Sequence, residues 1–199
     1  DDELGGQQLP RTVYAAADFI LGNAHNGFEM FTSLAQGAVR LLTSFASREL
    51  IDEFVPKLLS GQYAATMCLT EPQAGSSLSD ILTEAVLYKK TNDIADHYRI
   101  QGQKIFISAG DHDATENIVH LVLARVKGSP KGTKGISLFA VPKKRKENDG
   151  HLVSNDVTSI GLFPKMGQHS TPALHLAFGA KDDCFGYLIG EEGKGLVYM

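Results

Sequence analysis

Two short segments of this chain carry side chains whose types and spacing suit chemistry. The first is Met67-Cys68-Leu69-Thr70-Glu71-Pro72-Gln73-Ala74-Gly75-Ser76-Ser77. It delivers an apolar stretch abruptly into a small, polar, glycine-containing turn. Such a turn exposes hydroxyls and backbone N–H groups at the end of a rigid element, which holds a polar heterocycle or a phosphate without a metal. The second is Lys104-Ile105-Phe106-Ile107-Ser108-Ala109-Gly110. Strand alternation predicts Phe106 and Ser108 on one face. A flat aromatic beside a hydroxyl suits a planar ligand, the ring packing and the hydroxyl donating to a ring nitrogen. The plainer reading makes Phe106 core and Ser108 the start of a turn.

Other chemistries find less support. Asp111, His112, Asp113, Glu116 and His120 are ligand types, but their spacing matches no defined metal site. His169 and His175 lack a recognisable nucleophile partner, which argues against a hydrolase. The basic run Lys143-Lys144-Arg145-Lys146 reads as a solvated loop. So does Lys127–Lys134.

The elements that must position these residues change character along the chain. Helical spacing predicts helices over residues 11–21 and 28–46, split by a polar break at Asn23 to Gly27. Ser47 is a suitable N-cap for a third helix reaching Leu59, with a kink or a break expected at Pro56. From Tyr63 the period becomes two. Strands are expected at 64–69, 84–90, 98–101, 104–108, 118–126, 135–141, 174–178 and 185–189, with Gln101-Gly102-Gln103 closing a hairpin. Strands without intervening helices predict an α+β chain: N-terminal helices, then an antiparallel β-barrel or sandwich. Gly193 to Met199 reads as the first turn of another helix. Both termini read as internal, so a piece of a longer protein is expected.

Bulk composition sets outer limits. The 199 residues are 43% hydrophobic and 21% charged, ordinary for a globular protein. A net charge of −4 gives no electrostatic footprint for nucleic acid. No apolar run approaches the roughly 20 residues of a membrane span. Two scattered cysteines make no disulfide framework and fit a reducing cytoplasm.

Thr70-Glu71-Pro72-Gln73-Ala74-Gly75-Ser76 resembles the first signature of the acyl-CoA dehydrogenases. Ile100–Ser108, Lys165-Met166-Gly167-Gln168-His169-Ser170 and Leu188–Leu196 continue the resemblance in order. Pro56–Gly61 is similar to that family's lead-in to its β-domain. Ser108–Asp113, Glu116–Arg125, Gly132–Phe139 and Asn155–Val157 are similar to the longer-chain subfamily that includes 3-methylmercaptopropionyl-CoA dehydrogenases. The resemblance implies three parts: residues 1–62 from an N-terminal helical domain, 63–189 a middle β-domain, and 190–199 the stub of a C-terminal helical bundle.

It also implies FAD and an acyl-CoA. Met67, Leu69 and Thr70 would line the pyrimidine side of the flavin, with Gly75 and Ser76 in the following turn. Ser108 would donate to flavin N5, beside Ile107. Phe106 stands where most relatives have Trp, in a chain without Trp. Ser76 and Thr133 would contact the acyl-CoA. Ser77 stands where the family often has Asp, which removes a negative charge beside the turn. The family's catalytic base is a carboxylate of the C-terminal bundle, so no catalytic residue is expected here, and Glu71 is expected to be structural. FAD binding by this chain alone should be weak or absent. The resemblance implies electron-transferring flavoprotein or a similar acceptor, and a homo-oligomer, dimer or tetramer. Alternatives are an oxidase of acyl-CoA or nitroalkane type, and a non-catalytic β-module for subunit assembly.

Overall fold

The computed structural model describes residues 2–89, 96–147 and 149–199. Helices come first: α1 (Arg11–Phe45) and α2 (Arg48–Leu59). Among the described residues ten strands follow: β1 (Tyr63–Cys68), β2 (Glu84–Lys89), β3 (His97–Ser108), β4 (Asn117–Val126), β5 (Ile136–Pro142), β6 (Lys144–Lys146), β7 (Leu152–Ser154), β8 (Val157–Phe163), β9 (Ala173–Phe178) and β10 (Phe185–Ile189). One helical turn, α3 (Gly195–Tyr198), closes the order.

The expected break between the first two helices narrows to one residue. His25 has φ −160° and ψ 86° inside an otherwise continuous α1. Its Nδ1 accepts from the Phe28 N–H at 3.0 Å, satisfying a donor where the helix restarts. Gly27 is buried beside this kink, and a Cβ there would collide with the Ser170 hydroxyl. The Thr171 hydroxyl donates to the Gly27 carbonyl. Before the kink, Val13, Phe19 and Ile20 lie exposed.

The Ser47 hydroxyl caps α2 by accepting from Leu50 N at 3.4 Å. Pro56 does not break this helix, contrary to the sequence expectation. Its missing N–H would have met the Asp52 carbonyl, and both residues lie on the exposed side. Leu50, Phe54, Val55 and Leu58 hold the buried side against the sheet. The helix ends where Gly61 takes φ 76°, a value that glycine adopts at little cost.

The sheet is mixed. β4 pairs antiparallel with β5 on one edge and parallel with β1 and then β2 on the other. Because β2 also pairs with β3, the path β4–β5–β10–β3–β2 returns to β4 and closes on itself. The second half of β3 joins β9, which joins β8, forming the other layer of a sandwich-like body. β4 is buried over its first eight residues, as its apolar run predicts. Val119, Leu121 and Leu123 face a core shared with α1 and α2. Val122 and Ala124 face a second core with Tyr98, Phe139 and Phe178.

Several expectations change here. Gln101-Gly102-Gln103 is no hairpin, because β3 runs straight through it. A Cβ at Gly102 would strike Thr83, so the glycine permits a close approach where β3 passes between layers. The basic run is strand β6, paired with β7, and not a free loop. Arg145 reaches Asp183 at 2.8 Å, and Lys143 pairs with Asp111. Strand β8 had no clean alternation to reveal it, since its polar and apolar residues are mostly exposed. The expected end of β2 at Lys90 lies outside the described residues.

His120 points into the second core, fully buried. Its Nδ1 lies 2.8 Å from the Thr66 hydroxyl, and its ring stands edge-on to Phe178. Burial, assisted by nearby Lys143, pushes its pKa down to about 3. Between pH 6.5 and 3 the unfolded chain therefore binds the extra proton, and stability falls as pH falls. Urea unfolding between about pH 7 and about pH 5, above the carboxylate range, should lose about 1 kcal/mol per pH unit below roughly 6.5. His120→Asn should flatten that dependence. An unchanged slope in the variant would assign the effect elsewhere.

Candidate functional site

The two chemistry-bearing segments meet where β1 ends. Ile105 N donates to the Thr70 carbonyl at 2.9 Å. The Lys104 ammonium donates to the Leu69 carbonyl at 3.0 Å and to Glu71 Oε1 at 2.8 Å. Neither Lys104 (0% exposed) nor Glu71 (3%) reaches solvent. Glu71 also accepts from Leu82 N, Thr83 N, the Thr83 hydroxyl and the Gln73 amide. Burial by itself would raise the Glu71 carboxyl. The Lys104 charge and the donated bonds outweigh it, and the pKa lies below its ordinary value. Burial pulls the Lys104 ammonium down against the opposing pull of Glu71.

This carboxylate is therefore a strut, engaged by five donor groups and unavailable to a ligand. Glu71 and Ala74 exchange two backbone hydrogen bonds, at 2.9 and 3.0 Å, which close the Pro72-Gln73 turn. The carbonyls of Leu69, Thr70 and Glu71 are all taken internally. That leaves the Thr70 and Ser76 hydroxyls as groups of the turn able to donate to a ligand. Gly75 follows with an ordinary φ, and a Cβ placed on it would meet no other atom within 4 Å. Neither its own backbone nor its surroundings require a glycine, and the bare backbone leaves room for a ligand.

The expected residues fall as follows. Met67 and Leu69 are half-buried and pack toward the helix-side core. A Cβ on Gly37 of α1 would sit 3.3 Å from Met67. Thr70 is half-buried and Ser76 exposed. The Ser77 hydroxyl donates to Asp80 at 2.8 Å, so a carboxylate still flanks the turn. Across the junction, β3 carries a bulge between Lys104 and Ile107. Phe106 sits in it at φ 59°, uncommon for a bulky side chain, and the residue is 58% exposed. Ile107 is buried and Ser108 half-buried. The simple alternation expected for this strand is thus interrupted at the residue it was meant to aim.

Thr133 lies exposed in the turn before β5. Arg125, at the end of β4, ties that region to the first segment. Its guanidinium donates to the carbonyls of Ser79 and Ile81 (3.0 Å) and to those of Pro130 (3.3 Å) and Gly132 (2.9 Å). Lys104 and Arg125 are positioning residues that the sequence alone left unassigned. Arg125 was marked as the lone cation of β4, whereas Lys104 shares β3 with Arg99 and carried no such signal.

The remaining ligand-type residues disperse into other bonds. Asp111 pairs with Lys143, Glu116 accepts from Gln62 at 2.8 Å, and His120 meets Thr66. A cavity of about 770 Å³ lies away from the motif, between α1, the end of α2 and Thr115. Its walls are largely apolar and include none of the residues expected to bind ligand.

Removing one member of the buried pair strands the other. Lys104→Met should cost about 3–5 kcal/mol in chemical denaturation, and adding Glu71→Met should recover only part of it, because Gln73, Leu82 and Thr83 then lose their acceptor. A double variant as unstable as the single would show that the turn depends on the ions themselves.

Residues 66–180 match the family described as acyl-CoA dehydrogenase, middle domain. A butyryl-CoA dehydrogenase of Syntrophomonas wolfei is 43% identical over 176 residues, 85% of this chain and 28% of that protein. The 3-methylmercaptopropionyl-CoA dehydrogenase of Ruegeria pomeroyi is 40% identical over 198 residues, 99% of this chain and 32% of that protein. An acyl-CoA dehydrogenase from Bacillus anthracis, solved in complex with FAD, superposes with a TM-score of 0.77 at 24% identity, over 100% of this chain and 30% of that one. The chain spans about a third of the length of these curated relatives. With its strand pairings and matched segment, the chain belongs to the acyl-CoA dehydrogenase family.

Proposed function

We propose that this chain forms the flavin- and acyl-CoA-binding wall of an FAD-dependent acyl-CoA dehydrogenase. Residues 1–62 are the end of the helical domain, 63–189 the middle domain, and 190–199 the start of the C-terminal bundle. One observation carries the reading: Lys104 and Ile105 bind the carbonyls of Leu69 and Thr70 and join both motif segments into one wall.

The donor set fits the cofactor. The carbonyls of Leu69, Thr70 and Glu71 are bonded internally, and the Thr70 and Ser76 hydroxyls can donate to an acceptor-rich heterocycle edge. Met67 and Leu69 flank that edge. Phe106 gives an exposed aromatic face, and Ser108 a hydroxyl beside it, next to Ile107. FAD, when bound, supplies the acceptor for the hydride that leaves the substrate β-carbon. Fixed donors at the pyrimidine edge stabilise the charge this brings, and they need no reorganisation to do so. Ser76 and Thr133, in loops joined through Arg125, meet the acyl-CoA.

The base that removes the α-proton is not in this wall. Glu71 is sealed by its own bonds, and we assign the step to a carboxylate of the C-terminal bundle. Electron-transferring flavoprotein or a similar carrier reoxidises the assembly, which is a homo-oligomer. Two buried, unbridged cysteines support a cytoplasmic site.

Two measurements test the proposal. The chain alone should leave gel filtration without flavin absorbance, and retained flavin would overturn the expectation that this chain alone binds FAD weakly or not at all. The intact protein, mixed anaerobically with butyryl-CoA, should lose its visible flavin absorbance. Thr70→Val should slow that loss about 100-fold with the fold unchanged. Peroxide formation at the full turnover rate would make the protein an oxidase instead.

A further inference from the structure

Phe106 is exposed at the cost of a left-handed backbone, and it does not stand alone. The ring of Phe163, at the end of β8, lies 4.5 Å from it, tilted by 45°. Phe163 in turn lies parallel within 24° of the His175 ring at 6.4 Å. His175 Nε2 is hydrogen-bonded to Gln103 Oε1 at 2.9 Å, which fixes the far end of the row. The chain after Phe163 is also held: Pro164 follows, and the Lys165 ammonium donates to the carbonyls of Gln168 (2.7 Å) and Thr171. Three flat side chains from β3, β8 and β9 thus form a supported row beginning at the proposed flavin wall.

We propose that Phe163 is a second plate of the aromatic platform that carries the flavin ring, a cofactor-contacting residue. The inference rests on the flavin reading above and extends it. A phenyl ring covers less of a tricyclic ligand than an indole would, and the neighbouring phenyl restores the missing face. A tilted aromatic pair with one ring largely exposed presents a broad apolar surface suited to a planar heterocycle.

Lumiflavin, the ring system without its adenine tail, is the probe. Its fluorescence should be quenched by the chain at high protein concentration. Phe163→Leu keeps the apolar volume and removes the π face. It should weaken binding about three- to ten-fold, as should Phe106→Leu, while Phe163→Tyr retains affinity. Melting temperatures of all three variants should match the wild type, which separates lost binding from lost folding. Wild-type binding by Phe163→Leu, with loss in Phe106→Leu, would overturn the role of Phe163 and leave the flavin reading standing. No quenching by the wild type, even at high concentration, would overturn the inference, while the flavin reading is decided by the absorbance of the intact protein. A wild-type dimer in sedimentation that Phe163→Leu dissociates would assign this face to a second copy of the chain and overturn the inference.

Discussion

One buried ion pair holds the working end of this molecule together. Lys104 comes from within β3 and Glu71 from the turn after β1, yet they share a dry site. Removing either would leave a buried charge without its counter-ion, so the two segments cannot drift apart independently. The arrangement does more than stabilise. By taking the carbonyls of Leu69 and Thr70, β3 removes two acceptors from the turn and fixes its backbone against the sheet. Geometry and polarity of the site therefore have a common origin. That origin also explains why an acidic residue inside the motif is unsuited to proton transfer.

The route from sequence to structure was clear where periodicity was clear. The stripe on α1 and the unbroken apolar run of β4 specified a helix against a sheet, and Ser47 marked the start of α2. The motif at Thr70–Ser76 specified the family and the wall. Features that depend on distant partners were hidden. Gly102 reads as a turn residue until Thr83 is seen beside it, and Pro56 reads as a breaker until both it and Asp52 prove exposed. The basic run reads as a loop until Asp183 and Asp111 neutralise it. The bulge at Phe106 had no local signal, because its cause is the register between β3 and β9.

β4 shows how one strand serves two interiors. Its odd positions pack toward the helices and its even positions toward the closed strand circuit. Burial of each large apolar side chain contributes roughly 1.5–3 kcal/mol, and here both faces contribute. Each face also restricts the other, because a slip of one residue would exchange their side chains. His120 sits on the inner face of this strand, so its neutral state is part of the register. Arg125, at the same strand's open end, carries that rigidity outward into two loops. The surface loops are thus aligned by a strand that is buried on both faces.

The kink in α1 bears on how such a chain can vary over generations. Gly27 touches the Ser170 hydroxyl, and its carbonyl is held by Thr171. A side chain at position 27 has nowhere to go unless residue 170 shrinks or its loop shifts. The two positions lie far apart in the sequence yet form one inherited unit. A family member that loses the glycine should carry a compensating change in the distant loop, so the angle between helix and sheet leaves a paired trace in sequence.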